Sequence, residues 1–136
     1  MFRRLPGGAY AAENATVTGD VTLGEDVGIW FGCVVRGDDA PLSVGRRTNI
    51  QDLTMIHADT GVPNRIGEEV TIGHGCVLHG AEVEDRCLVG MGAVLLGGSK
   101  IGAEGVADDG VGGVQLEPGH EGGVALEAQL DRAPQC

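Results

Sequence analysis

The sequence predicts an all-β protein of one architecture, a left-handed parallel β-helix, on three observations. An aliphatic residue returns every six positions, as at Val17, Leu23, Ile29 and Val35. Glycine follows that residue at Leu23, Val44, Ile66, Ile72, Val89 and Ile101. A small residue or cysteine often sits four places after it, at Val27, Cys33, Thr48, Thr54, Cys76, Cys87 and Ala93. A sustained six-residue period is the signature of a parallel β-helix. Each hexapeptide supplies one short strand and a corner, and three make a triangular coil. Coils stack about 4.8 Å apart through the parallel ladder.

Each part of the chain takes its place in that prism. The first run ends at Val35, and the phase resumes at Val44, Ile50 and Ile56 after a step three residues too long. It resumes again at Ile66, Ile72 and Leu78 after a step four too long. The surplus residues read as loops ejected at corners, Gly37–Pro41 and Asp59–Asn64. From Leu78 to Val83 the step is one residue short, which tightens that corner; Val89, Leu95 and Ile101 then follow in phase. After Ile101-Gly102 the rhythm is expected to fail. A β-helix domain is therefore expected over residues 1–106, with an atypical tail over 107–136 that is either truncated or read out of frame, or else a divergent natural cap. Any C-terminal helix is expected to be shortened or absent, with Ala125–Asp131 as a weak helical stretch.

Composition narrows the partners. A chain of 136 residues fits one domain, and with aromatics at 3% its core must be built from Val, Ile, Leu and Ala. Its 25 glycines come with only five prolines, which excludes a collagen-like chain. A net charge of −11 argues against nucleic acid and anionic membranes as partners. The basic Met1–Arg4 is not followed by an apolar stretch, so no signal peptide is expected. No apolar run approaches the roughly 20 residues of a membrane span. Cys33, Cys76, Cys87 and Cys136 form no C-x-x-C pair, so they read as reduced thiols of a cytoplasmic protein.

The register brings the chemistry together. With faces A, B and C counted from Val35 on A, the inward residues Ile56 and Leu78 also fall on A. Side chains alternate along a strand, so Arg36, His57 and His79 form one outward column on that face. Adjacent rungs place two imidazoles within reach of one ion, since Zn–N bonds are about 2.1 Å. His74 lies at a corner of face C and cannot close on the same ion within its own chain. A symmetry-related copy supplies it across a three-fold interface, which completes a three-histidine site. A lone surface histidine is ordinarily solvated, and His120, outside the repeat, reads that way.

The strings Val35-Arg36-Gly37-Asp38, Asn49-Ile50-Gln51-Asp52, Ile56-His57 and Gly73-His74-Gly75-Cys76-Val77-Leu78-His79-Gly80 resemble the gamma-class carbonic anhydrases and their bacterial relatives. Val89-Gly90-Met91-Gly92-Ala93 fits the same pattern, and the resemblance covers about residues 5–106. It implies a left-handed β-helix assembled as a homotrimer, with the metal between subunits: His57 and His79 from one chain, His74 from the next. Zn2+ is the implied cofactor, and three imidazoles suit Fe2+ or Co2+ as well. Arg36, Asp38 and Asp52 match intersubunit ion-pair residues. Gln51 and Asn49 match residues that orient the hydroxide or substrate, and Asp39 matches an acidic proton-transfer position. The implied reaction is hydration of CO2 to bicarbonate, with zinc lowering the pKa of its water to about 7. The short Asp59–Asn64 segment has one acid, Asp59, where the best-known hydratases have a longer acidic loop, which argues against fast turnover. Two other functions fit the prism: a hexapeptide acyltransferase or thioesterase, and a non-catalytic metal-binding trimeric scaffold.

Overall fold

The computed structural model describes residues 1–107. Its strands, in chain order, are β1 (Phe2–Arg4), β2 (Tyr10–Ala12), β3 (Thr16–Leu23), β4 (Gly28–Ile29), β5 (Val34–Val44), β6 (Asn49–Ile50), β7 (Met55–His57) and β8 (Asn64–Ile66). They continue as β9 (Thr71–Ile72), β10 (Val77–His79), β11 (Glu82–Val83), β12 (Leu88–Val89), β13 (Val94–Leu95), β14 (Lys100–Ile101) and β15 (Val106–Ala107). One 3-10 turn, Pro6–Gly8, is the only helical element among the described residues. No helix among them is long and apolar enough to cross a membrane.

Apart from the antiparallel β1–β2 pair, every ladder is parallel. The registers match the six-residue period. On face C, Ala11, Ile29, Ile50, Ile72, Val89 and Ala107 stack rung upon rung. On face A the stack is Val17, Val35, Ile56, Leu78 and Leu95. On face B it is Leu23, Val44, Ile66, Val83 and Ile101. From Ile29 on, all these residues are buried, and removal of one such side chain from water contributes about 1.5–3 kcal/mol. The small residues four places on fill the prism's corners. Thr48 and Thr54 are buried there without loss, because their hydroxyls donate to the carbonyls of Gly67 (2.8 Å) and Gly73 (2.9 Å). Burying a hydroxyl is costly only where it goes unpaired. The first coil is closed by β1, and Arg3 ties it down through the carbonyls of Ala12 and Ala15.

Three expectations are refined. Gly37–Pro41 is not a loop outside the strands but part of the unbroken β5. Its three surplus residues appear as a break in register, with Gly19 opposite Gly37 but Val21 opposite Leu42. The strand stays extended because Ala40 and Leu42 are buried on either side of Pro41. The loop after β7 ends at Pro63, and Asn64 is the buried first residue of β8. The rhythm expected to fail after Gly102 continues for one more strand, since Ala107 pairs with Val89 and is buried. The tail expected over 107–136, with its helix at Ala125–Asp131, otherwise lies outside the described residues, as does His120.

Candidate metal centre

His57 closes β7 and His79 closes β10, one coil apart. The ladder pairs them directly, His79 opposite His57. Their ring centroids are 5.4 Å apart with an interplanar angle of 66°, so the two rings stand side by side. His57 is not the exposed surface residue its column suggests: only 8% of it reaches solvent. The surplus residues of β5 account for this. Asp39 lies 2.8 Å and Asp38 3.4 Å from His57 Nε2, and the three ligand atoms of these residues lie within 4.8 Å of one another. Asp59 stands 3.4 Å from His79 Nε2. Three carboxylates therefore ring the two imidazoles, a negative field that draws a cation in.

Arg36 stops short of the expected column. The β5–β7 ladder ends at Val35 opposite Ile56, and the Arg36 guanidinium turns to Asp38 in the same chain at 3.1 Å. The third histidine lies at another corner. His74 follows β9, and its Nδ1 meets the Asp52 carboxylate at 3.0 Å. That contact orients the ring through one nitrogen, as a carboxylate does for a metal-bound histidine. Trp30, Asn49, Gln51, Asp52 and His74 line one shallow pocket of about 170 Å³. Asn49 Oδ1 is itself buried with no hydrogen-bond partner, an arrangement that costs about 1–3 kcal/mol.

The nine site residues thus form two groups. Arg36, Asp38, Asp39, His57 and His79 gather at one corner of the prism. Asn49, Gln51, Asp52 and His74 gather at another. Within one chain they do not meet. Sequence reasoning missed Trp30 as a pocket wall and Asn64 as a buried residue. The odd aromatic in a chain almost without them was a signal for Trp30; nothing periodic marked Asn64. Cys33, Cys76 and Cys87 are buried free thiols, and desolvation pushes each above its ordinary pKa. They are inert fillers, not ligands.

Comparison with known proteins bears on the fold and the family. A family model described as a hexapeptide repeat of succinyl-transferase matches residues 63–96. Gamma carbonic anhydrase 2, mitochondrial, of Arabidopsis thaliana is 50% identical over 95 residues, covering 65% of this chain and 34% of that protein. A carbonic anhydrase of Geobacillus kaustophilus is 42% identical over 99 residues, covering 73% of this chain and 54% of that one. Among solved structures, a hexapeptide transferase family protein from Anaplasma phagocytophilum matches with a TM-score of 0.72 at 36% identity, covering 78% of this chain and 63% of that chain. Fold and repeat together define a hexapeptide-repeat parallel β-helix protein. Within that class, the chain belongs to the gamma-class carbonic anhydrase-like family. It spans about a third to a half of the length of the two carbonic anhydrases compared.

Proposed function

We propose that this chain is one subunit of a homotrimeric zinc lyase that interconverts CO2 and bicarbonate. The metal would be held by His57 and His79 of one subunit and the partner's His74. The pairing of two imidazoles on successive rungs, 5.4 Å apart inside a ring of carboxylates, carries this reading. The donor set fits: three nitrogen ligands leave a fourth position open, as catalytic zinc requires. Iron or cobalt would suit the same nitrogens. Bound there, zinc would make a water nucleophilic near neutral pH.

The chain's own residues would do the rest. Asp52 would fix the His74 ring. Asn49 and Gln51 both line the pocket beside His74, where their side-chain amides would orient the hydroxide or the substrate. Trp30 would give an apolar wall against which uncharged CO2 could sit. Asp39 touches His57 yet remains half exposed, a placement suited to moving a proton outward. Arg36 and Asp38 would extend to the subunit interface. Buried reduced thiols favour a reducing compartment such as the cytoplasm.

Acyl transfer is the second reading, favoured by the likeness to a hexapeptide transferase family protein. The paired imidazoles among three carboxylates weigh against it, because they suit a cation better than an acyl group. The test combines light scattering, metal analysis and stopped-flow CO2 hydration on zinc- and iron-loaded protein. A trimer with about one metal per subunit and measurable hydration is expected. Metal and trimer without hydration would leave a scaffold, and acyl transfer without metal would leave a transferase; either overturns the lyase.

A further inference from the structure

One buried polar side chain at the histidine corner has no part in the proposed chemistry. Asn64 is 1% exposed, and a buried amide is tolerated only where its donors and acceptor are paired. All its partners are backbone groups of His57 and of the corner that directly follows His79. Its Nδ2 donates to the His57 carbonyl at 2.9 Å. Its Oδ1 accepts from the N–H of Gly80 at 3.0 Å and of Ala81 at 2.9 Å.

The location explains the need. The β7–β10 ladder stops at His57 opposite His79. Beyond that rung the chain leaves β7 as the loop Ala58–Pro63 and leaves β10 through the shortened corner at Gly80, whose φ is +74°. Apart from one hydrogen bond, Gly80 N–H to the His57 carbonyl at 3.1 Å, nothing regular continues. The corner is also packed tight, since a Cβ on Gly80 would meet Val62 Cγ1 at 2.6 Å.

We propose that Asn64 is the positioning residue of the histidine pair. It replaces the ladder rung that the loop and the corner remove, and so holds His57 and His79 at one separation. The consequence for metal rests on the zinc reading above; the positioning does not. Asn64→Leu has similar volume and loses all three bonds. Asn64→Asp keeps the two acceptor bonds and sets a carboxylate against the His57 carbonyl.

Three measurements test this. In the unsubstituted metal-free protein, the amide protons of Gly80 and Ala81 exchange slowly; fast exchange overturns the proposal. In the metal-free variants, the ring signals of His57 and His79 in NMR spectra move or broaden while those of His74 hold. Zinc affinity, by chelator competition, falls about 10–100-fold, the usual effect of losing a group that orients a ligand. The visible spectrum of the cobalt form changes with it. A lower melting temperature with unchanged ring signals, zinc affinity and cobalt spectrum would reduce Asn64 to a structural residue and overturn the proposal. A parent protein that binds no zinc, with ring signals that still respond to Asn64→Asp, would sink the lyase and leave the positioning standing.

Discussion

Two corners flank face B, built on the same backbone. Between faces B and C, successive coils place Asp26, Arg47, Glu69, Arg86 and Glu104 at left-handed φ values of 55° to 61°. These residues stack, and their charges alternate in sign from coil to coil. Arg47 meets Glu69 at 2.7 Å, and Arg86 meets Glu104 at 3.2 Å. Between faces A and B the pattern is the reverse. Asp38, Asp39 and Asp59 crowd around two imidazoles, with Arg36 as the cation paired among them. Left-handed φ costs an L-residue about 1–2 kcal/mol, and exposed ion pairs contribute only about 0–1 kcal/mol each. The ladder therefore does not fully offset its own strain. Its alternation makes each coil complementary to the next and penalises a stack with like charges in contact. The histidine corner ignores that rule, and folding alone gives no reason to gather three acids there. A metal bound as proposed would give one.

Experiments can break that contrast. The largest effect is expected from His57→Ala, which should lower zinc affinity by more than the roughly 10–100-fold of an indirect loss, while Arg47→Ala should leave it unchanged. Isothermal titration of both variants checks this; equal losses would erase the distinction between the corners. Gly80→Ala comes next. The added Cβ strikes Val62 at a positive φ, so a cost of about 1–2 kcal/mol or more is expected in urea unfolding. At the ladder corner, Glu69→Ala exchanges one L-residue for another at the same φ and should cost less.

Leu53 sharpens the comparison at the third corner. It holds a left-handed φ of 63° in a column otherwise made by Gly32, Gly75 and Gly92, yet it is 73% exposed. Leu53→Gly relieves the backbone and removes only the side chain. Weaker trimerisation at low protein concentration, measured by sedimentation, is the expected result; an unchanged trimer would place this corner outside the interface. Arg47→Glu puts like charges at adjacent rungs and should cost less than about 1 kcal/mol, a difference that 1 M salt should largely remove.

The smallest effect follows from the cysteines. Desolvation holds Cys33, Cys76 and Cys87 protonated above the ordinary value of 9.0. A raised folded pKa gives stability that is complete below the unfolded value and is lost as pH rises past it toward the folded value. Melting temperature should therefore decline above pH 9, and the Cys33→Ala/Cys76→Ala/Cys87→Ala variant should show a shallower decline.

Much of this molecule was legible residue by residue. Ile56 and Leu78 were placed on one face by counting sixes, and the structure pairs them. His57 and His79 followed as neighbours because the next residue on each strand must point the other way. The phase breaks flagged both insertions, although Gly37–Pro41 stayed within a strand. Asn64 was read as the end of a loop, because its burial depends on a carbonyl and two amides from two other segments of sequence. The cover that Asp38 and Asp39 place over His57 was likewise invisible, since it comes from a break in register between coils.

The period alone determined the prism, its faces, its register and the meeting of two histidines. A uniform backbone with a fixed rise admits only one way to bury an aliphatic residue every six positions. Only the tertiary structure decided which carboxylate rests on which imidazole, that Asn64 ties His57 to the corner after His79, and that a pocket opens beside His74. Those contacts are made by residues outside the period, whose positions are set by what the neighbouring coil presents to them.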